Sequence, residues 1–241
     1  MPADASDLSP EIDPTSPEAD SAGTLSIDDR IRESVHRILE AGVLPPIVQA
    51  GHPVLRQSAA PFTGQLDAPT LSALIDLMRR AMHKAPGVGL AAPQLGIPLR
   101  LAVLEDTFDV DPEVAAVRGR QPLEFFAMLN PSYEPLGTER KAFYEGCLSV
   151  NGLQAAVLRP ESVRLTFTDP DGAVKTREFT GWQARIVQHE TDHVNGVLYL
   201  DRAELRSLTT NTEYAARWAQ PDTTKARQEL GFLPGPGDAR L

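Results

Sequence analysis

The sequence predicts an α+β fold, a compact single domain in which antiparallel strands surround a central helix equipped to bind a metal. Three observations predict it. Strand-like runs precede and surround two helical runs without the regular βαβ alternation that a doubly wound sheet requires. Glu161 to Thr168 and Ala173 to Phe179 flank Asp169-Pro170-Asp171-Gly172, a turn sequence with a backbone reason for each residue, and so read as a hairpin. The second helical run carries His189 and His193, whose spacing puts both imidazoles on one helical face.

The elements are taken in chain order. Residues 1–26 mix Asp, Ser, Pro, Ala and Glu with no aromatic residue; they cannot bury enough apolar surface to offset their ordering entropy and read as a disordered acidic extension. Residues 27–46 read as an extra helical segment, since Ile31, Val35, Ile38 and Leu39 recur at helical spacing and Gly42 closes the run. Residues 47–202 form the expected folded domain. It opens with an extended segment from Ile47 to Leu55. A helix near Asp67 to Lys84 then places Leu71, Leu74, Ile75, Met78 and Met82 on one face until Pro86-Gly87 stops it. Short β-prone runs come next at Leu99 to Leu104, Glu124 to Leu129 and Thr138 to Tyr144, and then the hairpin. The second helix starts at Thr180, with Thr180 and Gln183 at capping-box spacing, and ends with Gly196 just past Asn195. A short strand, Val197 to Leu200, is expected next. Residues 203–241 read as a C-terminal helix and a Pro/Gly-rich tail, with 220–241 expected to lack regular structure.

Composition narrows the function classes. A chain of 241 residues with 41% hydrophobic and 23% charged residues is neither collagen, nor a disulfide scaffold, nor wholly disordered. No run approaches the roughly 18 apolar residues of a membrane helix, and the N-terminus lacks the basic and apolar segments of a signal peptide. A cytoplasmic protein with no membrane partner is therefore expected. The net charge of -10 is concentrated: residues 1–29 hold eight acids and no base, leaving 25 acids against 23 bases. That near-neutral remainder makes no electrostatic case for or against a nucleic-acid surface, and no specific DNA binding is expected.

His189-Glu190-Thr191-Asp192-His193 carries the chemistry. Two imidazoles one turn apart can share one metal, with Glu190 beside them; two ordinary helix histidines are the plainer alternative. A catalytic site wants a third protein donor and an open position. No histidine lies downstream, where Asp201 and Glu204 are the nearest acids, whereas the lone Cys147 sits upstream in Glu145-Gly146-Cys147-Leu148-Ser149. A lone cysteine is commonly a small core residue, but beside a two-histidine helix the ligand reading is preferred. A thiolate with two imidazoles suits zinc or iron rather than magnesium or calcium, and does not separate the first two. Gly87 to Gly96 adds small residues and Gln94, whose amide can donate to a carbonyl oxygen at a site wall.

Gly87-Val88-Gly89-Leu90-Ala91-Ala92-Pro93-Gln94, Glu145 to Ser149 and Gln188 to His193, in this order, resemble the three signature segments of peptide deformylases. The resemblance covers about residues 47–202. It implies a hydrolase that removes the N-formyl group from the initiator methionine of new polypeptides, releasing formate. It also implies one divalent ion per chain, Fe2+ with Zn2+, Ni2+ or Co2+ as substitutes, held by Cys147, His189 and His193 with water in the fourth position. Glu190 then serves as general base and acid, with the Gln94 side chain and the Leu148 backbone N–H as oxyanion donors. The N-formylmethionyl peptide is expected to pair with Val88-Gly89 on one side and Gly146 on the other, its methionine meeting Leu148, Ile186 and His189, with Trp182 and Arg185 one turn earlier. The ribosome near the nascent-chain exit is a further expected partner.

Overall fold

The computed structural model describes residues 25–233. Among them the strands are β1 (Gly89–Ala91), β2 (Leu101–Asp106), β3 (Leu123–Pro135), β4 (Arg140–Cys147), β5 (Val150–Pro160), β6 (Ser162–Thr168), β7 (Val174–Thr180) and β8 (Thr209–Thr210). They form two antiparallel sheets, one in the order β1-β2-β3-β6-β7 and one in the order β4-β5-β8. The helices are α1 (Ile27–Glu40), α2 (Ala68–Lys84), α3 (Pro112–Arg118), α4 (Gly181–Val194), α5 (Asn211–Glu213) and α6 (Thr224–Leu230), with a π-helical turn Tyr214–Trp218 continuing α5.

The larger sheet is covered on both faces, and the period-2 alternation of β2 shows how. Leu101 and Val103 pack with the α1 and α2 residues Ile31, Val35, Leu74, Met78 and Met82, while Ala102 and Leu104 pack with Ala184 and Val187 of α4. Each fully buried leucine or methionine here contributes about 1.5–3 kcal/mol. The α2 helix starts where the Asp67 side chain accepts from Thr70 N–H, with Pro69 in the first turn.

The α4 helix lies against both sheets, and eleven of its fourteen residues are buried. A helix buried on nearly every side must satisfy its polar side chains internally, which governs the site below.

Several elements differ from the sequence-based expectation. Val197 to Leu200 is no strand: Asp201 Oδ2 accepts from Leu198 N–H at 2.8 Å and bends the chain into the 3₁₀ turn Tyr199–Arg202. No capping box forms at Thr180, because the Gln183 amide donates instead to Pro122 O at 2.7 Å. The opening extended segment ends in the 3₁₀ turn Pro53–Leu55. Of the stretch 220–241, expected to lack regular structure, residues 224–230 form α6, where Ala226 and Phe232 bury against Tyr144 and Trp218, and residues 234–241 lie outside the described residues. β5, with Asn151 and Gly152 near its start, α3 and the three-residue β1 had no sequence expectation at all. The acidic extension expected over 1–26 falls, for residues 1–24, outside the described residues.

Gly181 opens α4 at φ 61°, and a Cβ there would lie 2.5 Å from the carbonyl oxygen of Gly119, at the end of α3. Gly172, in the hairpin turn at φ 85°, has nothing within 4 Å. Gly172→Ala should therefore cost only the backbone term of about 1–2 kcal/mol, whereas Gly181→Ala adds a backbone clash and should cost distinctly more, about 3 kcal/mol. Thermal unfolding of the two variants checks this; equal losses of Tm would show that the Gly119 contact yields freely.

Candidate active site

Three segments deliver the site to one place. Cys147 ends β4, where the register passes from Gly146↔Gln154 to Cys147↔Val150 and the strand turns back on itself. His189 and His193 lie one turn apart on α4, their rings 5.0 Å apart and steeply inclined. The Sγ of Cys147 lies 3.2 Å from Nε2 of His193, and the donor atoms of Cys147, His189 and His193 all fall within 4.8 Å of one another. A tetrahedral ion bonded to one sulfur and two imidazole nitrogens keeps its donors roughly 3.3–3.6 Å apart. The cluster therefore fits a small divalent cation without rearrangement of the backbone.

Buried charges fix this donor cluster. Glu145, two residues before Cys147 and thus on the same face of β4, accepts from or shares a proton with His189 Nδ1 at 3.0 Å, leaving the other ring nitrogen of His189 for the ligand cluster. The same carboxylate accepts from Arg159 Nε at 2.6 Å, Arg159 Nη2 at 3.0 Å and Arg185 Nη1 at 2.5 Å. Burial alone would raise the Glu145 pKa, but Arg159, His189 and Arg185 hold it well below the usual carboxylate range. Arg159 also donates to Asp192 on α4 at 2.8 Å, and Asp192 accepts further from Arg202 and Tyr133.

Glu190 stands apart from this network. It is only 4% exposed, its Oε2 has no partner among the described residues, and burial pushes its pKa up to about 7 against the opposing pull of His189 and Arg159. A buried carboxylate with a free lone pair beside a metal-type donor cluster is placed to receive a proton. The room for it comes from Gly89: a Cβ at that position would overlap the Glu190 carboxylate, closest to Oε1.

Gln94 comes after β1 in the 3₁₀ turn Ala92–Leu95. Its Oε1 accepts from Ala91 N–H at 2.8 Å, which orients the amide nitrogen toward Ser149 Oγ at 3.3 Å and Cys147 Sγ at 3.7 Å. A cavity of about 520 Å³ opens over the group, and Val88, Gly89, Gln94, Gly146, Cys147, Leu148, Ile186, His189 and Glu190 all line it. Trp182 and Arg185 line it as well.

Residues 44–208 match the family model described as polypeptide deformylase. The chain belongs to the peptide deformylase family. It is 53% identical over 225 residues to peptide deformylase 3 of Streptomyces avermitilis, an alignment covering 93% of this chain and 98% of that one. Peptide deformylase 1 of Streptomyces coelicolor is 52% identical over 89% of this chain and 99% of its own. A Met-Ala-Ser-bound peptide deformylase structure from Acinetobacter baumannii superposes with a TM-score of 0.59 at 33% identity, covering 66% of this chain and 98% of that one. The family is metal-dependent, and its reaction, removal of the N-formyl group from nascent polypeptides, is this chain's activity.

Sequence reasoning did not identify the roles of Glu145, Arg159, Arg185 and Asp192 in orienting the Cys-His-His cluster. Glu145 and Asp192 sat inside recognised segments, but Arg159 carried no signal, because its strand was not anticipated. Gly89→Ala should push the Glu190 carboxylate from its place while leaving Cys147, His189 and His193 untouched. Metal content per chain should stay near one while kcat/KM falls roughly 10²-fold, as expected for misplaced catalytic groups. Full activity would mean that β1 shifts to accommodate the methyl group.

Proposed function

We propose that Cys147, His189 and His193 hold one divalent ion, Fe2+ in the native protein with Zn2+, Ni2+ or Co2+ able to replace it, and that Glu190, Gln94 and Leu148 carry out the proton transfers and oxyanion stabilisation of deformylation. The observation that carries this reading is the unpartnered, buried Glu190 oxygen beside a Cys-His-His donor set. The donor chemistry suits zinc or iron, and the family resemblance favours iron. When bound, the ion supplies Lewis acidity and a water ionisable near neutral pH.

Glu190 Oε2 takes the proton of the attacking water and later returns one to the nitrogen of the leaving amine. The Gln94 amide, held by Ala91, donates to the formyl oxygen as negative charge builds there, and the backbone N–H of Leu148 donates to the same atom. The peptide lies extended between Gly146 and Val88-Gly89, its methionine side chain against Leu148, Ile186 and the ring of His189. The Met-Ala-Ser peptide in the Acinetobacter structure supports a tripeptide lying in this groove. Formate and a free α-amine leave. The ribosome near the nascent-chain exit is the proposed macromolecular partner, and the cytoplasm the proposed compartment; no helix among the described residues is long and apolar enough to cross a membrane. Residues 47–202 are the proposed catalytic domain, to which 1–26, 27–46 and 203–241 are additions.

Two substitutions on α4 separate binding from chemistry. His193→Ala removes a ligand, so metal content and formate release should fall together. Glu190→Gln keeps the size but accepts no proton, so it should retain near-stoichiometric metal while kcat falls on the order of 10²-fold or more. Loss of metal in Glu190→Gln would make Glu190 a ligand or a prop and sink the assigned role. With iron bound, activity should decay in air as the ion oxidises, and nickel-loaded protein should keep it. Iron-loaded protein stable in air for days would speak against Fe2+ chemistry at a thiolate-ligated open site.

A further inference from the structure

The cavity has a wall that the family-matched segment does not supply. Asn211 and Tyr214 line it, yet both lie beyond residue 208, where the family match ends. Their segment is anchored. Trp218, Ala226 and Phe232 pack on Tyr144 and Ala156, the Thr223 hydroxyl donates to Ala142 O at 3.2 Å, and Arg118 at the end of α3 donates to Pro221 O and Gln220 O at 3.0 Å each.

Alternation along β4 decides what this wall faces. Glu145 and Cys147 point to α4, so Tyr144 and Gly146 belong to the opposite face, together with their β5 partners Ala156 and Gln154. Tyr214 stands on that face with its ring 5.1 Å from the ring of Tyr144. Gly146 leaves its own side-chain space to Gln154, whose Cγ lies 3.5 Å from where a Cβ would be. Gln154 Nε2 donates to Asn211 Oδ1 at 3.2 Å, and neither Gln154 Oε1 nor Asn211 Nδ2 has a hydrogen-bond partner among the described residues.

β4 is the edge strand of its sheet, so its free side can accept an extended peptide as a further strand. Successive side chains of such a peptide point to opposite faces. With the methionine on the α4 face against Ile186, the next side chain points to the face where Tyr214, Gln154 and Asn211 stand. On a bare sheet face it would meet water.

We propose that Tyr214, with the Gln154–Asn211 amide pair, forms a specificity subsite for the side chain of the residue directly after the formylated methionine, and that this subsite favours an apolar residue large enough to cover the Tyr214 ring. The proposal rests on the deformylase reading and on the peptide orientation given above.

The test compares kcat/KM for formate release from formyl-Met-Leu-Ser and formyl-Met-Gly-Ser, with formyl-Met-Ala-Leu and formyl-Met-Ala-Gly as the pair varied one residue further on. The wild-type protein should prefer Leu to Gly at the second position by about tenfold, the scale of one apolar contact. Tyr214→Ala should reduce that ratio to about twofold, Tyr214→Phe should keep it, and the ratio at the third position should not change with either. If Tyr214→Ala does not fold, Tyr214→Trp serves: its larger ring crowds the subsite and should lower the Leu to Gly ratio. An unchanged second-position ratio in the folded variant, or a change confined to the third position, overturns the subsite while leaving deformylation intact. Absence of formate from every substrate with the wild-type metal-loaded protein overturns the underlying reading instead.

Discussion

The buried carboxylate of Glu145 is the constraint on which the site depends. It joins β4, β5 and α4 by accepting from Arg159 and Arg185 and meeting His189, and the three charged groups Glu145, Arg159 and Arg185 are all buried. Ions removed from water in this way must be paired with good geometry, because removing one partner leaves an uncompensated charge at a cost of about 3–5 kcal/mol. The arrangement therefore contributes less to net stability than to uniqueness of position. With Glu145 held between two guanidinium groups, strand alternation places Cys147 on the same face two residues later. The ring of His189 is turned by the same carboxylate, and Arg159 carries the tie on to Asp192, one residue before His193. Cys147, His189 and His193 are thus each fixed by a neighbour within two residues or by a direct bond to this network.

Glu190 obeys the opposite rule. Arg185 and Asp192 on the same helix each meet a group of opposite charge and His189 meets the Glu145 carboxylate, whereas Glu190 keeps an oxygen without a partner among the described residues in a buried place. Such a group costs stability, and that cost is tolerable when function needs a carboxylate that exchanges a proton near neutral pH. Gly89 and Gln94 come from one short stretch, β1 and the turn after it, so a single backbone segment clears space for the base and aims the amide donor. The five-stranded sheet holds that segment through the pairing of Leu90 with Val103, whereas the Glu145 network joins β4, β5 and α4. The space around Glu190 and the aim of the Gln94 amide are consequently set by a different segment from the one that orients Cys147 and His189.

How much of this the sequence revealed depends on the range of each interaction. The donors were legible because His189 and His193 share a helical turn and Cys147 is the chain's one cysteine, so spacing and residue type were enough. The hairpin at Asp169 to Gly172 was legible because turn chemistry is local. Arg159 was not, because its partners are 14 and 33 residues away and its strand carries Asn151 and Gly152 near the start. The missing capping box at Thr180 has the same cause: a tertiary acceptor, Pro122 O, took the Gln183 amide that local spacing assigned to the helix end. α6 was read as irregular because Pro and Gly surround it, although it is formed by the apolar cluster around Tyr144. Local rules located the chemistry; the groups that hold it in place are long-range and leave no period in the sequence.

The end of β4 carries two duties that are mechanically one. At Gly146 the strand is still paired with Gln154, and one residue later Cys147 is opposite Val150, so Asn151, Gly152 and Leu153 are looped out within β5. Gly152 takes φ 79° to make this possible. The register shift turns Cys147 toward α4 while Gly146 stays on the open edge of the sheet. A change in the bulge would therefore move the Cys147 sulfur and the open edge at Gly146 together, so the two cannot be adjusted separately at this hairpin. The side chains that clothe the outer face are free of that coupling, since Asn211 and Tyr214 come from a segment tied to β4 by its own apolar cluster and by Arg118. Substitutions at Asn211 and Tyr214 therefore alter a wall of the cavity without touching Cys147, His189 or His193.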